Sequence, residues 1–148
     1  MADETLALAL GAVARKERTV AELTEWLRER DVEEAEVERV VGFLIETGTL
    51  DDERFARLYA EDKRDLAGWG SDRIRQALRE RGLSGQEVEA VLAGEGFQDE
   101  LARAVELLHR RGHDLSDDRG RNRALGLLAR RGYSSEIAYE AIRQAAAA

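Results

Sequence analysis

Apolar positions recur along this chain at spacings of three and four, in short runs broken by glycine, aspartate and serine. That is the period of helices that each turn one face to a core. The pattern is sharpest between Leu50 and Leu83, LDDERFARLYAEDKRDLAGWGSDRIRQALRERGL. Asp51 caps a first helix there, with Phe55, Leu58, Tyr59 and Leu66 along one face. Gly68, Trp69 and Gly70 interrupt the pattern. Ser71 caps a second helix with Ile74 and Leu78 inward, and Gly82 stops it. Ser84 to Glu87 forms a capping box ahead of Val88, Val91 and Leu92.

The flanking segments are weaker versions of the same unit. A helix over residues 5–14 faces inward with Leu6, Leu10 and Val13. A capping box, Thr19 to Glu22, opens a helix that buries Leu23, Trp26 and Leu27. A third helix, opened by Asp31 to Glu34, buries Val37, Val40, Val41, Leu44 and Ile45 and stops at Gly48. Gly42 inside it costs up to about 1 kcal/mol relative to Ala, and close helix packing would explain it. On the other side, Leu101, Ala104, Val105 and Leu108 share a face that ends at Gly112. Ser116 or Asp117 caps a helix with Leu125 and Leu128 inward and Gly132 as its stop. A last helix carries Ile137, Ala141 and Ile142.

These units repeat. Leu27-Arg28-Glu29-Arg30-Asp31-Val32 aligns with Leu78-Arg79-Glu80-Arg81-Gly82-Leu83 and with Leu128-Ala129-Arg130-Arg131-Gly132-Tyr133, at offsets of 51 and 50 residues. Arg30, Arg81 and Arg131 stand at helix C-termini, where a cation favours the macrodipole. Gly82 and Gly132 take the left-handed position of a Schellman cap, and Asp31 is the exception in that column. The expected fold is all-α, an elongated array of three tandem three-helix repeats over residues 1–49, 50–96 and 97–148.

Composition narrows the function. The 148 residues include no proline, where average usage of roughly 5% would give about seven. There is no cysteine, so disulfides, thiolate metal sites and a cysteine nucleophile are excluded. No apolar run approaches the roughly 18 residues of a membrane span. Acids precede the N-terminal apolar run and bases follow it, the reverse of a signal peptide, so a cytoplasmic protein is expected. Net charge is −8, but its distribution is uneven. Residues 1–50 hold 12 acids and 6 bases, residues 51–100 hold 13 and 8, and residues 101–148 hold 6 and 9. The last third alone is basic and free to meet phosphates or an acidic partner.

Candidate catalytic groups reduce to structural ones. Asp51-Asp52 and Asp117-Asp118 stand where helices begin, and acids there cap backbone donors. His109 and His113 are four apart, but Gly112 breaks the helix between them and no third ligand is evident. No Walker loop, dinucleotide fingerprint or nucleophile elbow is present. Neither catalytic residues, cofactor nor metal is expected. The candidate binding residues are cations on outer faces. They are Arg57, Lys63, Arg64, Arg73 and Arg79 in the middle unit, with Arg110, Arg111, Arg119, Arg121, Arg123 and Arg130 in the last. Aromatic residues interleave poorly with them along the sequence, so no stacking platform for single strands is expected.

Leu50-Asp51-Asp52 with Arg54-Phe55-Ala56, then Gly70, Arg73-Ile74, Leu78 and Arg81-Gly82-Leu83, resemble the central motif of the RecX family of recombinase regulators. Arg130-Arg131-Gly132-Tyr133 with Ile137 and Ile142 is similar to that family's C-terminal signature. The resemblance spans residues 19–143. It implies a non-enzymatic protein that engages the RecA–DNA filament and lowers its ATPase, strand-exchange and co-protease activities in recombination and the DNA-damage (SOS) response. It also implies contact with single- or double-stranded DNA. The alternative reading is a sequence-independent DNA-binding protein that uses the basic third repeat. The acidic first two-thirds and Asp31 depart from the family's more basic members. A monomer without membrane association is expected.

Overall fold

A computed structural model describes residues 3–147. The described residues form nine helices and no strand. In the first unit these are α1 (Glu4–Arg15), α2 (Val20–Arg28) and α3 (Glu34–Glu46). The second unit has α4 (Asp52–Ala67), α5 (Ser71–Glu80) and α6 (Gly85–Leu92), and the third has α7 (Phe97–Arg111), α8 (Asp118–Arg131) and α9 (Ser135–Ala147). Each triplet closes on its own core: Leu23, Leu27, Val40 and Leu44; then Phe55, Ile74, Leu78 and Val88; then Leu108, Leu128, Tyr133 and Ile137. The surface area is 8986 Å². A compact monomer of 16.6 kDa exposes about 7,600 Å². The excess is that of an elongated array.

The capping chemistry follows the sequence closely. Thr19 and Ser84 both form complete capping boxes. Asp51 and Asp117 cap α4 and α8 by accepting from the N–H groups of Arg54 and Gly120. The three repeated C-termini share one geometry. The N–H groups of Val32, Leu83 and Tyr133 donate to the carbonyls of Leu27, Leu78 and Leu128, at 3.3, 3.3 and 3.0 Å. Asp31, Gly82 and Gly132 all have positive φ, at 59°, 92° and 94°.

Several expected inward residues face out. Leu10, Ile45, Leu58 and Leu66 are exposed, Leu66 by 84%. Alanines occupy their place: Ala9 and Ala12 in α1, Ala56 and Ala60 in α4. Close helix approach selects the small side chain, which an apolar period does not reveal. Leu66 also lies in the last turn of α4, whose 16 residues outrun the 8 of α6, about 24 Å against 12 Å. Gly42 is exposed, and a Cβ there would have nothing within 4 Å, so close packing does not explain it. Gly70, not Ser71, is the N-cap of α5.

The units meet end to end through their second helices. At the first joint, the Thr19 hydroxyl donates to the Arg81 carbonyl (2.7 Å), so the N-terminus of α2 meets the C-terminus of α5. Thr19 is wholly buried there. At the second, the N–H groups of Gly70 and Asp72 donate to the carbonyls of Arg131 (2.7 Å) and Gly132 (3.0 Å), so α5 meets α8 likewise. At the second joint orphan backbone donors of one helix thus satisfy orphan acceptors of the next, at the first the Thr19 hydroxyl is the donor, and at both opposite dipole ends adjoin. A carboxylate from the following unit's first helix completes each joint. Asp52 accepts from the Val20 N–H (3.0 Å) and Glu100 from the Ser71 N–H (2.6 Å).

The cap glycines serve these contacts as well as the turn. A Cβ on Gly82 would lie 2.5 Å from the Ala21 Cβ, and one on Gly132 would lie 2.5 Å from the Arg73 backbone nitrogen. Among the described residues no preceding unit packs against the end of α2, so a side chain is tolerated at Asp31. Gly132→Ala is expected to destabilise by about 2–4 kcal/mol, the sum of a left-handed backbone penalty and overpacking. Gly112 has φ 66° but open space around it, so Gly112→Ala should cost only about 1 kcal/mol. Equal losses in urea denaturation would show that the joint is not tight.

Side chains add a second set of links. Arg81 grips Glu22 with Nε and Nη2, at 2.6 and 2.9 Å. Burial pushes the Glu22 carboxyl up, but Arg81 and the Thr19 N–H outweigh it and hold it below the ordinary glutamate range. A lowered folded value means stabilisation that is present above the unfolded value and lost as pH falls through the folded one. Asp52 is held above its ordinary range, chiefly by burial, so its contribution has the opposite sign. Glu22→Gln is expected to flatten the loss of stability on acidification. A Glu22→Gln, Arg81→Gln cycle should give a coupling of about 1 kcal/mol for this partly exposed pair. An acid limb identical to that of the unmutated protein would count against the pair as a joint element.

Candidate partner-binding surface

The end-to-end stacking places equivalent faces of α2, α5 and α8 in one series. Four positions per helix lie on the face at i, i+4, i+7 and i+11. Counted from the repeated leucine, they are Arg18, Glu22, Glu25 and Glu29 in and before α2; Trp69, Arg73, Gln76 and Glu80 in and before α5; and Arg119, Arg123, Gly126 and Arg130 in α8. Formal charge on this face climbs from negative through neutral to +3 along the array. Arg119, Arg123 and Arg130 are exposed, and none pairs with a carboxylate among the described residues. Arg123 also helps hold the Asp114 carboxyl low, after the dominant hydrogen bonds from Ser116.

The other candidate cations divide by what they touch. The Arg64 Nε sits 2.6 Å from Glu95 Oε2, with both side chains 10% exposed. Arg103 pairs with the same Glu95 and with Asp65 (2.9 Å), so this group ties α4 to α7. The Arg121 Nε donates to the Leu115 carbonyl (2.8 Å) and fixes the turn before α8. Arg110 approaches Glu106 at 3.8 Å. Arg57, Arg79 and Arg111 are exposed without a carboxylate partner among the described residues. Arg57 lines a shallow cleft between α4 and α6 that also presents Glu53, Glu61 and Glu87, so its field is mixed.

Lys63 and Arg73 stand apart because they surround an aromatic residue. The Arg73 guanidinium lies 4.0 Å from the centre of the Trp69 ring and the Lys63 Nζ 4.7 Å. Tyr59 meets Trp69 edge-on at 6.4 Å. Although aromatics interleave poorly with the cations along the sequence, α4, the 68–70 turn and α5 bring Tyr59, Trp69, Lys63 and Arg73 into one cluster. A second cluster surrounds Trp26, with Arg30 at 3.6 Å and Arg18 at 5.3 Å. The only sequence signal for either was a tryptophan within a few residues of unpaired bases.

The remaining candidate groups have structural places. His109 is exposed, and His113 lies beyond the left-handed Gly112 with a buried Nδ1 that has no hydrogen-bond partner among the described residues. Among the described residues no three His, Cys, Asp or Glu side chains gather as a metal site, and no helix is long and apolar enough to cross a membrane. Tyr133 is buried and its phenol is pushed up to about 12 by that burial. It stays a neutral donor, to the Gly68 carbonyl at 3.0 Å.

Comparison with known proteins agrees with this architecture. The family models of the first and second RecX three-helix domains match residues 6–44 and 51–92. "Regulatory protein RecX" of Thermobifida fusca is 33% identical over 144 residues, covering 93% of this chain and 76% of the relative. The protein of the same name from Deinococcus radiodurans is 37% identical over 142 residues, covering 95% and 68%. The crystal structure of RecX from Lactobacillus salivarius has the same fold, with a TM-score of 0.86 at 21% identity over 98% of this chain and 96% of that one. By its sequence matches and its three stacked helical units, the chain belongs to the RecX family.

Proposed function

We propose that this protein is a non-enzymatic regulator of the RecA–DNA filament that lowers RecA's ATPase, strand-exchange and co-protease activities. Its membership of the RecX family, whose curated relatives are named regulatory proteins, carries this reading. The physical part is a stiff elongated array whose units, divided at 49/50 and 96/97, are linked at helix ends. Such an array lies in the groove of a helical filament and bridges neighbouring protomers. It hinders the motions that accompany nucleotide turnover. It works as a cytoplasmic monomer. The contact residues are Arg57, Lys63, Arg73, Arg79, Arg110, Arg111, Arg119, Arg123 and Arg130, while Arg64 belongs to the group that ties α4 to α7 and Arg121 fixes the turn before α8.

The test is RecA's DNA-dependent ATPase, titrated with this protein and RecA of the same organism. The expected result is inhibition at or below one copy per protomer. No effect at low salt removes the reading. A second reading, direct DNA binding, is favoured by the α8 stripe of unpaired arginines. Arg119→Ala, Arg123→Ala and Arg130→Ala together should then flatten the slope of log K against log salt, by at most about 0.7–0.9 per lost phosphate contact. Loss of filament binding with naked-duplex binding weak throughout would instead assign the stripe to RecA.

A further inference from the structure

The joint between the second and third units holds an arginine already placed against an aromatic ring. The Arg73 guanidinium lies over Trp69 (4.0 Å), and its Nη1 donates to the Arg130 carbonyl (3.1 Å). The indole backs it and the carbonyl fixes its edge, while its outer side is exposed. Lys63 closes the rim, 4.7 Å from Trp69 and 5.4 Å from Tyr59. Neither cation pairs with a carboxylate among the described residues. Arg130, whose carbonyl holds Arg73, is also the last residue of the α8 stripe.

We infer that Arg73, Trp69 and Lys63 form a seat for one unpaired base of single-stranded DNA, at the end of a phosphate track made by Arg119, Arg123 and Arg130. The inference rests on reading that stripe as phosphate-facing. Guanidinium planes and aromatic rings stack bases that have left the helix. A duplex keeps its bases inside and offers the stripe only phosphates. Because Arg73 is held before binding, little rotamer freedom is lost on contact. The Trp26 cluster lacks this setting, since it borders Glu22, Glu25 and Glu29, which repel a phosphate backbone. Among the described residues, only at the α5–α8 joint do an aromatic-backed guanidinium and an uncompensated cationic stripe meet.

The chain has two tryptophans, so Trp26→Phe leaves Trp69 as sole indole reporter. This variant is titrated at low salt with a short oligothymidylate and with a duplex of equal length. Trp69 emission and the anisotropy of labelled DNA are followed together. The single strand should quench Trp69 in step with anisotropy, and the duplex should not. Arg73→Lys keeps the charge but not the plane. It should lower single-strand affinity about tenfold, as expected for one stacked base, and leave duplex affinity unchanged. Arg119→Ala with Arg123→Ala should weaken both. Single-strand binding without quenching, equal quenching by duplex, or no single-strand binding overturns the seat. Inhibition of RecA in the absence of naked single-strand binding would retain the regulator and discard the seat.

Discussion

Every helix ends with backbone groups that its own hydrogen bonds cannot satisfy, and in this protein those groups join the units. The carbonyls at the end of α5 receive the start of α2, and those at the end of α8 receive the start of α5. Because each contact is made by main chain, or by a buried hydroxyl, the relative orientation of neighbouring units is set within hydrogen-bond tolerance. The apolar cores do not cross these joints. The protein is therefore held within units by burial and between units by hydrogen bonds and ion pairs, two forces that respond differently to salt, pH and temperature.

The two joints solve one problem with different side chains. Glu22 at the first joint occupies the position of Arg73 at the second, and Arg81 that of Arg131. Glu22 therefore pairs with Arg81, whereas Arg73 faces another cation. Arg73 turns to a carbonyl and an indole, and Arg131 reaches back to the Ala67 carbonyl at 2.8 Å. That substitution of charge carries the surface from acidic to basic along the array. An array with this gradient presents ends of opposite charge, acidic at the first unit and basic at the third.

The local part of this structure was legible in the sequence. Capping boxes at Thr19 and Ser84, caps at Asp51 and Asp117, and left-handed stops at Gly82 and Gly132 depend on neighbours a few residues away. The repeat itself followed from three copies of one helix ending. Long-range features were not legible. Gly82 and Gly132 looked like turn residues, but Ala21 and Arg73 approach them from distant positions. Arg64 and Arg119 look alike as exposed cations on helices, yet Glu95 takes one and leaves the other. Leu58 and Leu66 continued an apolar period whose inward face belongs to Ala56 and Ala60, because hydrophobicity alone does not register how closely two helices approach.

A stack whose two ends complement each other invites a second copy to add, and repeated addition makes an open fibre. The ends of this one do not match. At the free end of α2, Asp31 puts a side chain where an incoming helix start needs bare backbone. At the free end of α8, the turn before it folds over the helix so closely that a Cβ on Gly120 would meet the Asp114 carbonyl oxygen. One terminus is blunted by a carboxylate and the other by a loop of the chain itself, so the motif that joins the units inside the molecule is withheld from its surface.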